Sequence, residues 1–301
     1  MRSLLIFLFI ALFSATAFGV ARKTPAEVFV QAKRIESEVK LLLAHEHRSS
    51  TVEFVPFEAN LRPRHVWQKG YIIQTKLNIY RKNKHWPIWI ASGLEPVLVF
   101  DPSLVFEHTQ LILTELANIK SRLGIHTVTG LPKLIRGKKP IDVFNQLHRV
   151  SLLLDRLNQQ VISPSAVFPE VMRIYYDTSL IINELKISDR SFPPAKNKDS
   201  SPGHNLIAAF DLLKQIQRIQ QLGRMEKTDL SSFASVQSPG PTDVYNMVEL
   251  AIAELQAIKA YLGINQPTPP ATDFGLKTPV EVNQLIGWVK NKLLLIQEVR
   301  R

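Results

Sequence analysis

Few residues in this chain have the types and spacing that catalysis or metal binding requires. His45 and His47 are two positions apart, so a helix would place them on different sides, and no Cys, Asp or Glu residues with zinc-like spacing accompany them. The chain has no glycine-rich phosphate loop, no Gly-x-Ser-x-Gly elbow and no His-Glu-x-x-His pair. The sequence therefore predicts no metal ion, no cofactor and no catalytic residue, and it favours a protein that is not an enzyme.

Charged residues recur in pairs that are related by a shift of 139 positions. The pairs are Arg34 with Glu38, Arg173 with Asp177, Glu115 with Lys120, and Glu254 with Lys259. Charges that recur in this way are typical of ion pairs on helix faces or of contacts with loop backbone. A buried polar network that supports a ligand is the alternative interpretation. An enzyme of unfamiliar type would need such charges around a water-accessible cleft, so their exposure to bulk solvent would count against it.

The basic charge of the chain is concentrated in its first half. Residues 22–161 include 21 basic and 12 acidic residues, a net charge of +9, whereas residues 162–301 include 15 and 14, a net charge of +1. Cations alternate with aromatic residues in one segment, which we predict to be a ligand or partner surface. Its residues are Arg62, Arg64, Trp67, Lys69, Tyr71, Lys76, Arg81, Trp86 and Trp89. A second basic group comprises Lys133, Arg136, Lys138 and Lys139.

Basic residues mixed with aromatic residues can bind nucleic acid through phosphate neutralisation and base stacking. The signal peptide predicted at residues 1–19 implies that the chain is exported, which argues against nucleic acid as the partner. It favours an envelope protein, an anionic lipid or an anionic glycan surface instead. A solvated cationic surface that binds nothing specific is the alternative, because charge patterning is a weak functional signal.

An apolar segment separates the second and third predicted helices. Residues 86–100 contain Trp86 and Trp89 among many aliphatic residues, whereas the segment 139 positions later, residues 225–239, is mostly polar. Such a segment is either a plug buried between the two halves or an exposed patch that suits a partner or a membrane. The sequence favours the plug, because two tryptophans in water would be a liability.

Eight prolines at repeated spacings predict the elements that position these residues. The prolines are Pro25, Pro63, Pro102, Pro140, Pro164, Pro202, Pro241 and Pro279, and the last four follow the first four by 139 positions each. Each precedes an amphipathic run with heptad-like apolar spacing, and proline suits the first turn of a helix. The sequence predicts an all-α protein, a tandem duplication of a four-helix unit with long proline-containing loops. Antiparallel neighbours are favoured, with parallel crossovers as the alternative, and the short link at residues 160–163 makes the fourth and fifth helices antiparallel.

The first residues have the features of a secretory signal peptide. Arg2 is followed by an apolar run over residues 4–13 and by small residues near Ala17, so we predict a signal peptide at residues 1–19. The apolar run is shorter than the roughly 20 residues of a spanning helix, which makes an uncleaved anchor the less favoured alternative. The chain has no cysteine, and therefore neither a lipid-modified cysteine nor disulfides.

These features predict a periplasmic or secreted binding or scaffolding protein of the cell envelope. A basic first unit at residues 20–162 would contact an anionic or protein partner, and a near-neutral second unit would occupy residues 163–301. The alternative is a soluble receptor or sensor that holds a small ligand in or between the bundles. An enzyme of unfamiliar type is a third hypothesis.

Overall fold

The computed structural model describes residues 22–89, 96–159, 162–234, 236 and 238–299. In these residues the fold is all-α, as predicted, while the predicted signal peptide lies outside them. The helices are α1 (Pro25–His45), α2 (Pro63–Asn83), α3 (Pro102–Arg122), α4 (Pro140–Asn158), α5 (Pro164–Glu184), α6 (Pro202–Leu222), α7 (Pro241–Tyr261) and α8 (Pro279–Val299). A short 3-10 helix, Ser231–Ala234, precedes α7.

All eight α-helices begin at the prolines that the sequence indicates. Proline costs nothing there, because the first N–H groups of a helix have no intrahelical acceptor. Before α1, Thr24 accepts a hydrogen bond from the backbone of Glu27, whose carboxylate accepts one from the Thr24 backbone in return. Asp101 caps α3 and Ser201 caps α6 through their side-chain oxygens.

In six helices, the residue 22 positions after the initial proline has a left-handed backbone conformation and ends the helix. These residues are His47, His85, Gly124, Lys186, Arg224 and Gly263. The next residue donates a backbone hydrogen bond five positions back, as Ile125 does to the Lys120 carbonyl at 2.9 Å. This is the Schellman arrangement, with glycine at the left-handed position in α3 and α7.

Replacing Gly124 with alanine is expected to destabilise the protein by about 1 kcal/mol. Its φ is +70°, and a Cβ there would meet no atom of a described residue within 4 Å, so the cost comes from the backbone conformation alone. Gly130→Ala is the matched control, since that glycine also has open space around it but does not adopt a left-handed φ. Urea unfolding should show the loss only in the first variant, and equal losses in both would contradict the assignment.

Helices α1–α4 form a bundle in which all four helices run parallel. Their initial prolines meet at one end, together with the valines one turn later, Val28, Val66, Val105 and Val143. Around the bundle the order is α1, α3, α2, α4, so consecutive helices such as α1 and α2 lie diagonally opposite. The antiparallel packing favoured from the sequence is therefore wrong, and the parallel alternative is right.

Long loops along the outside of the bundle make this topology feasible. The fourteen residues 126–139 can extend over roughly 45 Å, whereas a helix of 21 residues such as α1 is about 31 Å long. This loop returns along α1 in the opposite direction. Near its start, Thr129 donates a hydrogen bond to Glu38 at 2.5 Å, and near its end the Lys138 ammonium lies 4.6 Å from the centre of the Phe29 ring.

Helices α5–α8 repeat the arrangement, in the order α5, α7, α6, α8. In α5 and α7, the residue numbers of contacting pairs increase together. Glu170 contacts Tyr245, and Asp177 contacts Lys259, so these helices also run parallel. Apolar residues of α3 and α7, such as Ile112 and Ala251, are buried in the core.

The two bundles pack against each other through α2 and α7, which run in opposite directions. His65 near the start of α2 contacts Glu254 near the end of α7, and Thr75 contacts Tyr245. Because each bundle is parallel, α5 runs opposite to α4, as the short link between them predicts. Phe233 of the 3-10 helix adds a second contact, since its ring stacks on that of Phe57 at 4.3 Å.

Candidate functional site

Two of the recurring charged pairs connect neighbouring helices rather than residues of one helix. Lys120 of α3 donates to Glu38 of α1 at 2.6 Å, and Lys259 of α7 donates to Asp177 of α5 at the same distance. A threonine of the following loop completes each arrangement, as Thr129 does by donating to Glu38 and Thr268 by donating to Asp177. These residues tie the loop to the two helices, so their role here is structural.

Glu115 and Glu254 also find partners on other helices. Glu115 pairs with Arg81 of α2, and Glu254 accepts hydrogen bonds from Gln220 of α6 at 2.5 Å and contacts His65. The predicted contact with loop backbone is confirmed, because Lys120 donates to the Thr127 carbonyl at 2.6 Å. Glu38, Glu115 and Lys120 are buried and Arg34 is half-buried, so these four charges do not point to bulk solvent.

Much of the predicted basic and aromatic surface is buried. Lys69, Tyr71, Lys76 and Arg81 have little or no exposed area, so they cannot form an external partner surface. These residues are buried because the second bundle and the neighbouring helices pack around them and supply polar partners. Lys69 donates to Asn246 of α7 at 2.9 Å, and Lys76 pairs with Asp155 of α4 at 2.7 Å.

The other members of that predicted surface are partly buried. Arg62 pairs with Glu226 of the second half at 2.7 Å, Arg64 is half-buried, and Trp67 packs against His108. Trp86 and Trp89 are half-buried against the core. The backbone of Trp89 exchanges two hydrogen bonds of 2.7 Å with the Asn78 side chain, while residues 90–95 of the apolar segment lie outside the described residues.

A cleft of about 430 Å³ lies where the two bundles meet. It is bordered by α2, the first half of α5, residues 88–89 and the α7–α8 loop. Amide side chains from Gln74, Asn78 and Asn83 line it, and so do hydroxyl groups from Thr75, Ser163, Ser165 and Thr272. Trp89, Ile79 and Ile88 give it an apolar side. Its residues thus combine hydrogen-bonding groups with a larger apolar area to which α2, α5 and the α7–α8 loop all contribute.

A fixed carboxylate lies at the floor of the cleft. Glu170 of α5 accepts hydrogen bonds from Tyr245 at 3.0 Å and from the Arg173 guanidinium at 2.5 Å. That guanidinium also lies 4.3 Å from the centre of the Tyr71 ring. Although burial opposes its charge, the neighbouring Glu170 carboxylate raises the pKa of Arg173 above its usual range. Burial raises the pKa of Tyr71 to about 12, so its hydroxyl stays protonated.

A second carboxyl group, that of Glu249, lies beside this cluster. Its oxygen is 3.7 Å from the Arg173 guanidinium, and neither oxygen makes a hydrogen bond with a described residue. Burial and the nearby Glu170 charge raise the pKa of Glu249 well above its ordinary value. Two carboxyl groups thus lie beside one arginine, and the one whose pKa is raised is Glu249.

The sequence contains a signal for this cluster that the recurring charges do not provide. At positions shifted by 139, Glu170 corresponds to Gln31 and Glu249 to Gln110. Arg34 donates to Gln31 at 3.5 Å in the first bundle, just as Arg173 donates to Glu170 in the second. Glu170, at a position where the two halves differ, thus lines the cleft, and Glu249 lies behind it near Arg173.

The described residues contain no group of three or more His, Cys, Asp or Glu side chains placed to hold a metal ion. None of the helices in the described ranges is both long and apolar enough to cross a membrane. Comparison with known protein families, curated proteins and solved structures gives no match to this chain.

Proposed function

We propose that this protein is a binding protein that holds a small polar organic ligand in the cleft between its two bundles. The observation that carries the proposal is the open cleft, which Trp89 and several amide and hydroxyl side chains line above a buried floor. Glu170 is fixed there by Arg173 and Tyr245 before any ligand arrives. A carboxylate held in one orientation loses little conformational entropy on binding, which is the advantage of a preorganised site.

The residues of the cleft indicate the chemistry of the ligand. Its volume of about 430 Å³ is within the range of small-molecule sites. The amide and hydroxyl side chains both donate and accept hydrogen bonds, and Trp89 offers an apolar surface beside them. At the mouth, Lys82 and Asp273 are 3.8 Å apart, so they present charges of opposite sign. A compact molecule with a hydroxyl- or amide-rich edge and one apolar face, such as a mono- or disaccharide, suits this cleft.

The predicted signal peptide supports a place of action in the periplasm or outside the cell. This proposal replaces the external basic and aromatic surface with an internal site, because Tyr71 and Trp89 are part of the cleft while Lys69, Lys76 and Arg81 are buried elsewhere. A binding role is favoured over an enzymatic one, since none of Glu38, Glu115 and Lys120 lines the cleft.

Thermal unfolding in the presence of a compound library tests the proposal. The library contains mono- and disaccharides, amino acids and nucleosides. A ligand at a hundred times its dissociation constant stabilises the native state by about 2.7 kcal/mol, which should raise the midpoint by about 5 to 10 °C. A library that leaves the midpoint unchanged would contradict a small-molecule site.

Two tryptophan substitutions in one loop locate the binding site. Thr272→Trp places a bulky ring at the cleft and should abolish the ligand-induced rise, whereas Gln266→Trp places the same ring at an exposed position away from it. A rise that survives in Thr272→Trp would move the site elsewhere. Mass spectrometry of the recovered compound then separates binding from catalysis, because a converted compound would indicate an enzyme.

A further inference from the structure

The loop of residues 126–139, here called the basic loop, exposes an unusual amount of apolar surface. Val128 is 88% exposed, Leu131 75%, Leu134 54% and Ile135 51%. Single exposed aliphatic residues are ordinary on protein surfaces, but a cluster within one short loop marks an interaction site.

The basic loop also has a charge of one sign. Lys133, Arg136, Lys138 and Lys139 are interleaved with the apolar residues, and the loop contains no Asp or Glu. Lys138 pairs with Asp142 at 3.3 Å, but no acidic group among the described residues lies within ion-pair distance of Lys133 or Arg136. These two cations are therefore available to an external anion.

The position of the basic loop leaves it open to a large partner. It runs along the outer side of α1, to which it is fixed by Thr129 and Lys138. Because α1 lies diagonally across the bundle from α2, which contacts the second bundle, the loop is on the far side of the first bundle. It is thus separate from the cleft between the bundles.

The corresponding loop of the second bundle, residues 265–278, differs in both respects. It contains Asp273, and Leu276 is its exposed large aliphatic residue, at 94%. It also borders the cleft through Pro270, Ala271 and Thr272. The two loops return along equivalent helices, so the second provides a matched control for the first.

We propose that the basic loop docks the protein on the surface of a bilayer that carries anionic lipids. Leucine and isoleucine side chains gain by leaving water for the boundary between head groups and acyl chains, and the neighbouring cations are attracted by the negative surface potential. A folded protein partner with an acidic surface would present its carboxylates at fixed positions. The flexible cations and unpatterned aliphatic residues of this loop suit a fluid anionic surface better.

Co-sedimentation of the full chain with vesicles tests the proposal. Vesicles of phosphatidylcholine with 30% phosphatidylglycerol should bind the protein in 50 mM salt, and binding should weaken in 500 mM salt because the charges are screened. Vesicles of phosphatidylcholine alone should bind far less. Equal binding to both vesicle types, or no binding to the anionic vesicles, overturns the proposal.

Variants then assign the binding to this loop. Lys133→Glu with Arg136→Glu should weaken binding to anionic vesicles at least about 20-fold, since each cation near the surface contributes about a fivefold effect. Leu131→Ser with Leu134→Ser should weaken binding at both salt concentrations, because the apolar contribution is not screened. Leu276→Ser, the control in the second loop, should leave it unchanged. All these positions are exposed, and circular dichroism checks that each variant folds.

Two other outcomes would overturn the proposal. Unchanged vesicle binding in both double variants would place the membrane contact outside the basic loop. A concentration-dependent dimer that forms without lipid and is lost in Leu131→Ser with Leu134→Ser would show that a second copy of the chain covers the loop. Neither outcome bears on ligand binding in the cleft, which the thermal unfolding experiment measures separately.

Discussion

Replacing Lys259 with methionine is expected to destabilise the protein by about 3 to 5 kcal/mol. Lys259 and Asp177 are both fully buried, and the ammonium lies 2.6 Å from the carboxylate. Methionine fills a similar volume without the charge, so the variant leaves the Asp177 carboxylate buried and uncompensated. Denaturant unfolding at pH 7 measures the loss.

The buried pair itself contributes little net stability. Burial lowers the pKa of Lys259 and raises the pKa of Asp177, so for both residues desolvation of the charged form outweighs the attraction between them. We therefore expect that Lys259→Met with Asp177→Asn recovers most of the stability lost in the single variant. The asparagine oxygen still accepts hydrogen bonds from Gln256 and Thr268.

Lys120→Met in the first bundle is the matched control. Lys120 and Glu38 make the same contact at 2.6 Å, but each side chain keeps 11% of its area exposed, against 0% for Lys259 and Asp177, so water can reach a Glu38 carboxylate left alone. The expected loss is about 1 to 2 kcal/mol, smaller than for Lys259→Met. A loss of equal size in the two bundles would show that burial does not determine the cost.

Helix starts and ends could be predicted from the sequence because local chemistry determines them. A proline after Thr24 or Asp101 can occupy the first helical turn but not a later one without breaking a hydrogen bond. Gly124 and Gly263 adopt the left-handed conformation that stops a helix. At the same position of other helices, Lys186 and Arg224 adopt that conformation without being glycine, so residue type alone does not reveal those ends.

The direction of the helices could not be predicted, because it depends on contacts between segments that are distant in sequence. A loop such as residues 126–139 is long enough for either a simple reversal or a return along the bundle. The observed return depends on specific contacts of the loop with α1, among them the hydrogen bond from Thr129 to Glu38. The apolar face of a helix can pack against parallel or antiparallel neighbours, so it does not indicate the direction of those neighbours.

The buried lysines show a second limit of prediction from sequence. Lysine is usually exposed, and a run of basic residues therefore indicates a surface. Lys69 and Lys76 depart from that rule because Asn246 and Asp155 meet their ammonium groups inside the molecule. Asn246 is 177 positions from Lys69 in the chain, and only the packing of α2 against α7 brings them together.

Replacing Glu249 with glutamine is expected to stabilise the protein by about 1 to 3 kcal/mol at neutral pH. The Glu249 carboxyl group is fully buried beside the Glu170 anion, and its ordinary pKa of 4.5 is raised well above that value. Glutamine has the shape of the protonated acid, so it fits the site without the free-energy cost of protonating a carboxylate or burying its charge.

The pH dependence of this effect has a definite sign. Because the pKa of Glu249 is higher in the folded state than in the unfolded chain, the folded state binds the proton more tightly, and the contribution of Glu249 to stability falls as pH rises above about 4.5. The advantage of Glu249→Gln should therefore be absent below that pH and grow until the folded pKa is reached.

Glu254→Gln should behave in the opposite way. Burial raises the pKa of Glu254, but the hydrogen bonds from His65 and Gln220 outweigh it and hold the pKa below its ordinary value, so this carboxylate stabilises the fold at neutral pH and loses that effect as pH falls. Urea unfolding of both variants between pH 4 and 8 measures the two trends, and a Glu249→Gln variant less stable than wild type at pH 7 would show that the Glu249 anion is needed beside Arg173.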